Sequence, residues 1–229
     1  MKTRFLLVLT LGLFALSSPA HALTGSVKLD GAAPAPETIS ADADPTCKAV
    51  HPDGITNDQV IVGANGELKN VFVYVKEGVT GKFEAPKESV VFDQKGCQYS
   101  PKVFGIQTGQ TLEIVNSDST LHNVHALPKN SKEFNLGMPV QNMKLKKKFD
   151  KPEVMVKIKC EVHPWMGAWA GVLDHPFFAV SGDDGKFDIK NLPPGQYVIE
   201  AWHEKYGTQT QNVTVTDQPQ DITFTFKAA

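Results

Sequence analysis

The sequence predicts an all-β sandwich fold, in one large domain or two small ones. Two observations carry the class. Short apolar runs alternate with polar residues and are cut by turn signals throughout. No long stretch carries the 3.6-residue apolar period of a helix.

The first element is not part of the fold. Lys2 and Arg4 precede an uncharged apolar run from Phe5 to Leu16, and Ala20-His21-Ala22 closes it with an Ala-x-Ala pattern. That order predicts a cleaved signal peptide over 1–22, and the run is too short to span a bilayer. The expected location is the periplasm. No cysteine follows the cleavage point, so a lipoprotein anchor is not expected. Removing Lys2 and Arg4 makes the net charge of −2 more negative by two, a mild balance that points to no nucleic-acid partner. No later run is long enough to predict a membrane span.

Leu23 to Leu29 reads as the first strand. Ala32 to Pro45, rich in Ala and Pro, reads as an extended connection. Val60-Ile-Val and Val71 to Val75 read as strands around Asn65-Gly66, a hairpin signal. Strands are expected next at Val90-Val-Phe, Thr111 to Val115, Val154 to Lys159 and Ala168 to Leu173. Pro139 to Lys148 is the one place where a short helical turn is expected. After Pro176 come strands at Phe178-Ala-Val, Lys186 to Ile189, Tyr197 to Trp202, Asn212 to Thr216 and Ile222 to Phe226. Asp183-Asp-Gly and Pro193-Pro-Gly separate them.

Chemistry concentrates in Cys160-Glu-Val-His163-Pro-Trp-Met166 and, upstream, His122-Asn-Val-His125. One thiolate, two imidazoles and one thioether are the donors of a His₂Cys trigonal copper site with a weak axial Met. Three donors within one loop let a single turn wrap the metal, and a strand elsewhere supplies the third equatorial ligand. His122, Cys160, His163 and Met166 are therefore the expected ligands of one copper ion. Singly, each residue has a blander role: a buried cysteine, a hydrogen-bonded histidine, a core methionine. Met138 and Met143, expected in loops, compete with Met166 for the axial place. Of the three cysteines, one held by metal leaves Cys47 and Cys97 to pair as a disulfide in an oxidising compartment.

The loop Cys160 to Met166, with two residues between Cys and His and two between His and Met, resembles the ligand loop of amicyanin-type cupredoxins. Asn116 to His125 resembles the upstream histidine segment of amicyanin and plastocyanin. The resemblance implies a Greek-key sandwich, a type 1 copper site and one-electron transfer. It makes His122 the ligand and His125 a non-ligand. Pro128 to Phe149 is longer and richer in lysine than that pattern. A second resemblance, carried by Asp183 to Trp202, by Thr24 to Gly31 and by Asn70 to Val75, is to the carboxypeptidase regulatory-like, transthyretin-like sandwich. The implied division is first strands of that sandwich over 23–87, a cupredoxin-like copper domain over 88–176, and the rest of the sandwich over 177–229. Two domains in series, with a boundary near Pro176, is the simpler alternative.

Lys129 to Lys159 holds nine lysines against Glu133, Asp150 and Glu153. It reads either as a solvated edge or as a surface that steers an acidic redox partner such as a cytochrome. Trp202-His203-Glu204 reads as a strand end with a surface pair rather than a second site. His51 and His175, each before a proline, read as structural or exposed. The leading expectation is a one-electron carrier and not an enzyme, since the extra histidine pairs of a trinuclear copper cluster are missing. A copper delivery or sensing protein, or an interaction module with a stabilising metal such as zinc, are the alternatives.

Overall fold

The computed structural model describes residues 22–228, so all but the last residue of the expected signal peptide lies outside the described residues. The N-terminal segment holds β1 (Ala22–Asp30), β2 (Thr38–Ile39), α1 (Pro45–Val50), β3 (Ile55–Thr56) and β4 (Phe72–Glu77). The middle holds β5 (Val90–Lys95), β6 (Gln98–Ser100), β7 (Val103–Gln107), β8 (Leu112–Asn116) and β9 (His122–Leu127). It continues with β10 (Phe134–Met138), β11 (Met143–Lys147), β12 (Glu153–Lys159) and β13 (Gly167–Leu173). The C-terminal part holds β14 (Phe178–Val180), β15 (Lys186–Lys190), β16 (Gly195–His203), β17 (Gly207–Val215) and β18 (Gln220–Lys227). The fold is all-β.

The strands divide into two sandwiches. In the middle part, β11-β8-β5-β6 faces β10-β9-β12-β13-β7. Phe92, Phe104, Ile106, Leu112, Ile114, Val156 and Ile158 are among the side chains packed in its core. In the other, β15-β1-β18 faces β14-β4-β16-β17. Here Leu23, Val27, Ile189, Ile199 and Phe224 fill the core. Along β1 every second residue is buried, the period-2 pattern that puts Leu23, Val27 and Leu29 on one face. Strands from both ends of the chain thus share the two sheets of one sandwich, the strands of 90–173 form the two of the other, and β2 and β3 pair outside both. A cut at Pro176 would sever β1 from β15 and β18, and β4 from β14 and β16.

The sandwiches are packed on each other. Phe72, Tyr74 and Phe178 on one side meet Val103, Met155 and Leu173 on the other, and the Trp169 and Trp202 rings lie 5.1 Å apart. Two glycines make room. A Cβ at Gly171 would sit 2.2 Å from the Phe72 ring, and one at Gly105 would sit 2.2 Å from the Phe178 ring. Met155 reaches this layer from a bulge in β12, with φ of 64°.

Several elements depart from the sequence reading. Val60-Ile-Val is not a strand. The Asn65-Gly66 turn does form, with Gly63 N–H donating to Glu67 O at 2.8 Å and Gly66 at φ 85°. Its backbone then pairs outward, Leu29 N–H to Gly66 O and Leu68 N–H to Val27 O, so the turn is docked on β1 and only Val62 bridges Leu68. Pro139 to Lys148 carries a strand rather than a helical turn: β11 alternates half-buried and exposed residues and pairs antiparallel with β8. Ala32 to Pro45 is extended but includes β2, which pairs with β3. α1 was not signalled by any periodicity. It is a six-residue helix capped by Asp44, whose Oδ1 accepts the N–H of Thr46 at 2.7 Å and of Cys47 at 3.1 Å.

Candidate metal centre

One end of the middle sandwich gathers the functional side chains. β8 ends at Asn116, β9 begins at His122, and β12 ends one residue before Cys160. The Cys160–Met166 loop closes on itself, with Cys160 N–H donating to Met166 O at 3.1 Å and Met166 N–H to His163 O at 3.0 Å. His163 N–H points at Cys160 Sγ, 3.4 Å away. Nδ1 of His122 and Nδ1 of His163 stand 3.0 Å apart, and Cys160 Sγ is 3.8 Å from His163 Nδ1. His122, Cys160 and His163 each offer one donor atom, all within 4.8 Å of one another. These three residues and Met166 are between 0% and 3% exposed.

The far edges of both rings are held by carboxylates. His122 Nε2 meets Asp118 Oδ2 at 2.8 Å, and His163 Nε2 meets Asp44 Oδ2 at 3.2 Å. Burial pulls the Asp44 carboxyl up, but hydrogen bonds from Thr120, the Cys47 N–H, His163 and the Thr46 N–H outweigh it and hold the group at about 2. For Asp118 burial is again outweighed, by the N–H of Cys97, by His122 and by the N–H of Gly96, so its carboxyl stays below the usual range. An ionised carboxylate only accepts, so each Nε2 carries a proton, and Nδ1 is the nitrogen that a neutral ring would offer to a metal. Burial pushes the His122 imidazolium further toward the neutral form, opposed by Asp118. Two neutral rings so oriented would set their Nδ1 lone pairs face to face at 3.0 Å, an arrangement that a shared cation favours. The donor set, two imidazole nitrogens and a sulfur in a buried pocket, fits copper.

Met166 and Met138 differ in surroundings. Met138 lies opposite His122 on β10, and its sulfur already accepts from Gln94 Nε2 at 3.1 Å. Met143 opens β11. Neither is in a loop, contrary to the sequence reading, because both join the antiparallel edges. Tyr99 lies against the cysteine: burial and then the Cys160 sulfur raise its phenol well above the ordinary value, and its hydroxyl donates to Asn123 O.

Sequence reasoning expected the Cys47–Cys97 pairing but missed that it forms part of a cover over this centre. Cys47 and Cys97 form a disulfide that joins α1 to the β5–β6 turn, and Cys47 Sγ is 3.7 Å from His163 Nε2. In that turn Gly96 and Cys97 both have positive φ, 61° and 55°. Asp118 accepts both of their N–H groups at 2.8 Å. Trp165 Nε1 donates to Cys97 O at 3.0 Å. His163 is therefore enclosed by Asp44, the disulfide and Trp165, while Pro164 remains exposed. The acidic residues Asp44 and Asp118 were the available signal. Their distance in sequence from Cys160 and His163 hid it.

The other histidines lie apart from the cluster. His125 turns outward between Glu161 Oε1 at 2.5 Å and Glu133 Oε1 at 2.7 Å, and these two carboxylates raise its pKa. His51 meets Gly96 O at 2.7 Å and His175 accepts Phe177 N–H at 3.2 Å, so both are structural and half-buried. His203 corrects the expected surface pair: it is 1% exposed, stacked on Tyr206, and burial drives its pKa down to about 4. The strand pleat, continued one residue past Trp202, points it inward.

Residues 174–227 match the family model of the carboxypeptidase regulatory-like domain. Among solved structures, the copper-containing nitrite reductase of Thermus scotoductus SA-01 is 23% identical over 43% of this chain, with a TM-score of 0.36. The chain spans a quarter (25%) of that protein's length. A purple cupredoxin of Nitrosopumilus maritimus is 24% identical over 36% of this chain and 97% of its own, with a TM-score of 0.31. A Cu(I) amicyanin variant is 21% identical over 39% of this chain and 86% of its own, with a TM-score of 0.33. No curated protein sequence matches the chain.

Proposed function

We propose that this protein is a periplasmic type 1 copper protein that carries single electrons, with His122, Cys160 and His163 as equatorial ligands and Met166 as the axial one. The observation that carries the reading is the pair of Nδ1 atoms 3.0 Å apart beside a buried thiol, each ring with a carboxylate on its other nitrogen. When bound, copper would supply a one-electron couple. The chain's own contribution is a buried, pre-set donor frame, which keeps rearrangement between redox states small and argues against a delivery role that needs the metal to leave. Gln94 on the Met138 sulfur favours Met166 as the axial group. Among the described residues, every close-set group of potential metal ligands includes His122 or His163, which supports one centre. The disulfide and the leader-like start of the sequence support export. Among the described residues no helix is long and apolar enough to cross a membrane.

A redox protein such as a cytochrome is the proposed partner. The lysine-rich region is less positive than its sequence implies. Glu113 pairs with Lys144 at 3.1 Å and with Lys146 at 3.7 Å, and Glu161 pairs with Lys159 at 2.9 Å. Lys157 borders a cleft of about 420 Å³ beside Cys160 and Trp165, and is the lysine of this region proposed to steer a partner toward the loop.

Adding Cu(II) to the purified protein tests the reading. An intense thiolate-to-copper band should appear, vanish on reduction, and be absent in Cys160→Ser. Met166→Leu should keep the band and raise the potential; an unchanged potential moves the axial role elsewhere. A colourless protein that holds zinc instead would sink the proposal.

A further inference from the structure

We propose that Asp44 and Asp118 are positioning residues of this centre: they accept hydrogen bonds from Nε2–H of His163 and His122, fix both rings as Nδ1 donors, and set two negative charges behind the ligands to favour the oxidised metal. The inference rests on the copper reading above and goes beyond its ligand set.

The geometry is reciprocal. Each imidazole uses one nitrogen inward, toward Cys160, and the other outward, toward one carboxylate. Neither carboxylate is free to turn away. Asp118 is clamped by the N–H groups of Gly96 and Cys97, each at 2.8 Å. Asp44 is clamped by the N–H groups of Thr46 and Cys47 and by the Thr120 hydroxyl, whose Oγ1 is 2.7 Å from Asp44 Oδ2. The carboxylates come from segments distant in the chain from Cys160, and the disulfide ties the two segments together, Cys47 next to the helix cap and Cys97 next to the Asp118-bound turn. The cysteines could complete metal-binding groups with Asp44 and His163, or with Asp118 and His122, but both are consumed in the disulfide. What remains on the outer side of each ring is a carboxylate acceptor.

Outer carboxylates that bind a ligand histidine raise its basicity and lock its orientation. Oxidised copper carries one more positive charge than reduced copper, and a buried negative charge stabilises that form more. Removing either charge should therefore favour Cu(I). Substitution by Asn retains the size and one acceptor oxygen, and Asn still caps a helix.

The test uses the full protein loaded with copper. In Asp118→Asn and Asp44→Asn the thiolate band should persist, and the ratio of Cu(I) to Cu(II) affinity should rise by roughly tenfold each, which is about 59 mV for a one-electron couple. In the metal-free wild type, nitrogen-15 NMR of the histidines should find His122 and His163 protonated at Nε2. An intact band with an unchanged potential in both variants overturns the proposal, and so does an Nδ1-protonated His122 or His163 in the metal-free wild type. A wild type that gives no thiolate band removes the copper reading itself, and the metal-free NMR measurement still decides the ring positioning. Asp44 also caps α1, so if Asp44→Asn unfolds by circular dichroism, Asp118→Asn carries the potential measurement.

Discussion

His203 shows what burial does to a single residue. Its Nδ1 accepts the Lys205 N–H at 3.1 Å, its ring stacks on Tyr206, and burial holds it neutral with a pKa of about 4. An unfolded histidine titrates near ~6.5. A depressed folded pKa means that the unfolded chain binds the proton first, so the stability is present above pH 6.5 and is lost as pH falls toward 4. The loss should be on the order of 3 kcal/mol at the acid end. Urea unfolding of the wild type from pH 7 to pH 4 should show it, and His203→Gln, which keeps an acceptor for Lys205, should flatten the slope. An equal slope in both would assign the acid sensitivity to other groups. His125 titrates in the opposite direction, with Glu133 and then Glu161 raising its pKa, but it is on the surface and its effect is screened.

The element that sets this centre apart is the segment with β2, α1 and β3. It lies over His163 and is anchored by the Cys47–Cys97 disulfide, across a sequence separation of 50. Breaking that link releases a loop whose closure entropy is worth roughly 4 kcal/mol in the unfolded state. A Cys47→Ser, Cys97→Ser protein should lose a stability of that order by chemical denaturation. It should also lose hydrogen-exchange protection at Cys47–His51, whose first and last residues are joined by His51 N–H to Cys47 O at 2.9 Å. Retained protection there would mean that Asp44 and the β2–β3 pairing hold the segment without the disulfide. β11 teaches a related lesson. Its period-2 alternation was present in Met143-Lys-Leu-Lys-Lys, but five residues of which three are lysines give a weak signal, and pairing with β8 decides the matter.

At the level of the whole molecule, the interface between the sandwiches is where a small change should have a large effect. Gly171→Ala puts a methyl group into the Phe72 ring, and the overpacking should cost about 1–3 kcal/mol. A lowered denaturation midpoint is the expected result; an unchanged one would mean that Phe72 can swing aside. We propose that residues 88–176 are an insert within the regulatory-like sandwich. Limited proteolysis should then cut in the joining segments near residues 78–89 and 174–177 and leave the N- and C-terminal pieces associated. Release of one stable fragment running from Leu23 to about Pro176 would instead favour two domains in series.

The sequence by itself determined the all-β class, because period-2 burial and turn residues are local properties. It also presented a coherent donor pattern in the Cys160–Met166 loop, because one turn holds three of the donors within seven residues. It placed most strands after Pro176 to within a few residues. Tertiary structure alone decided which distant segments meet. It put β1 beside β18, brought Asp44 and Asp118 behind His163 and His122, buried His203, and gave Lys144 and Lys146 the partner Glu113. Each of these joins residues through a register or a chain crossing. Such contacts leave no mark in the local spacing of residues, since many pairings of the same strands would bury similar apolar faces.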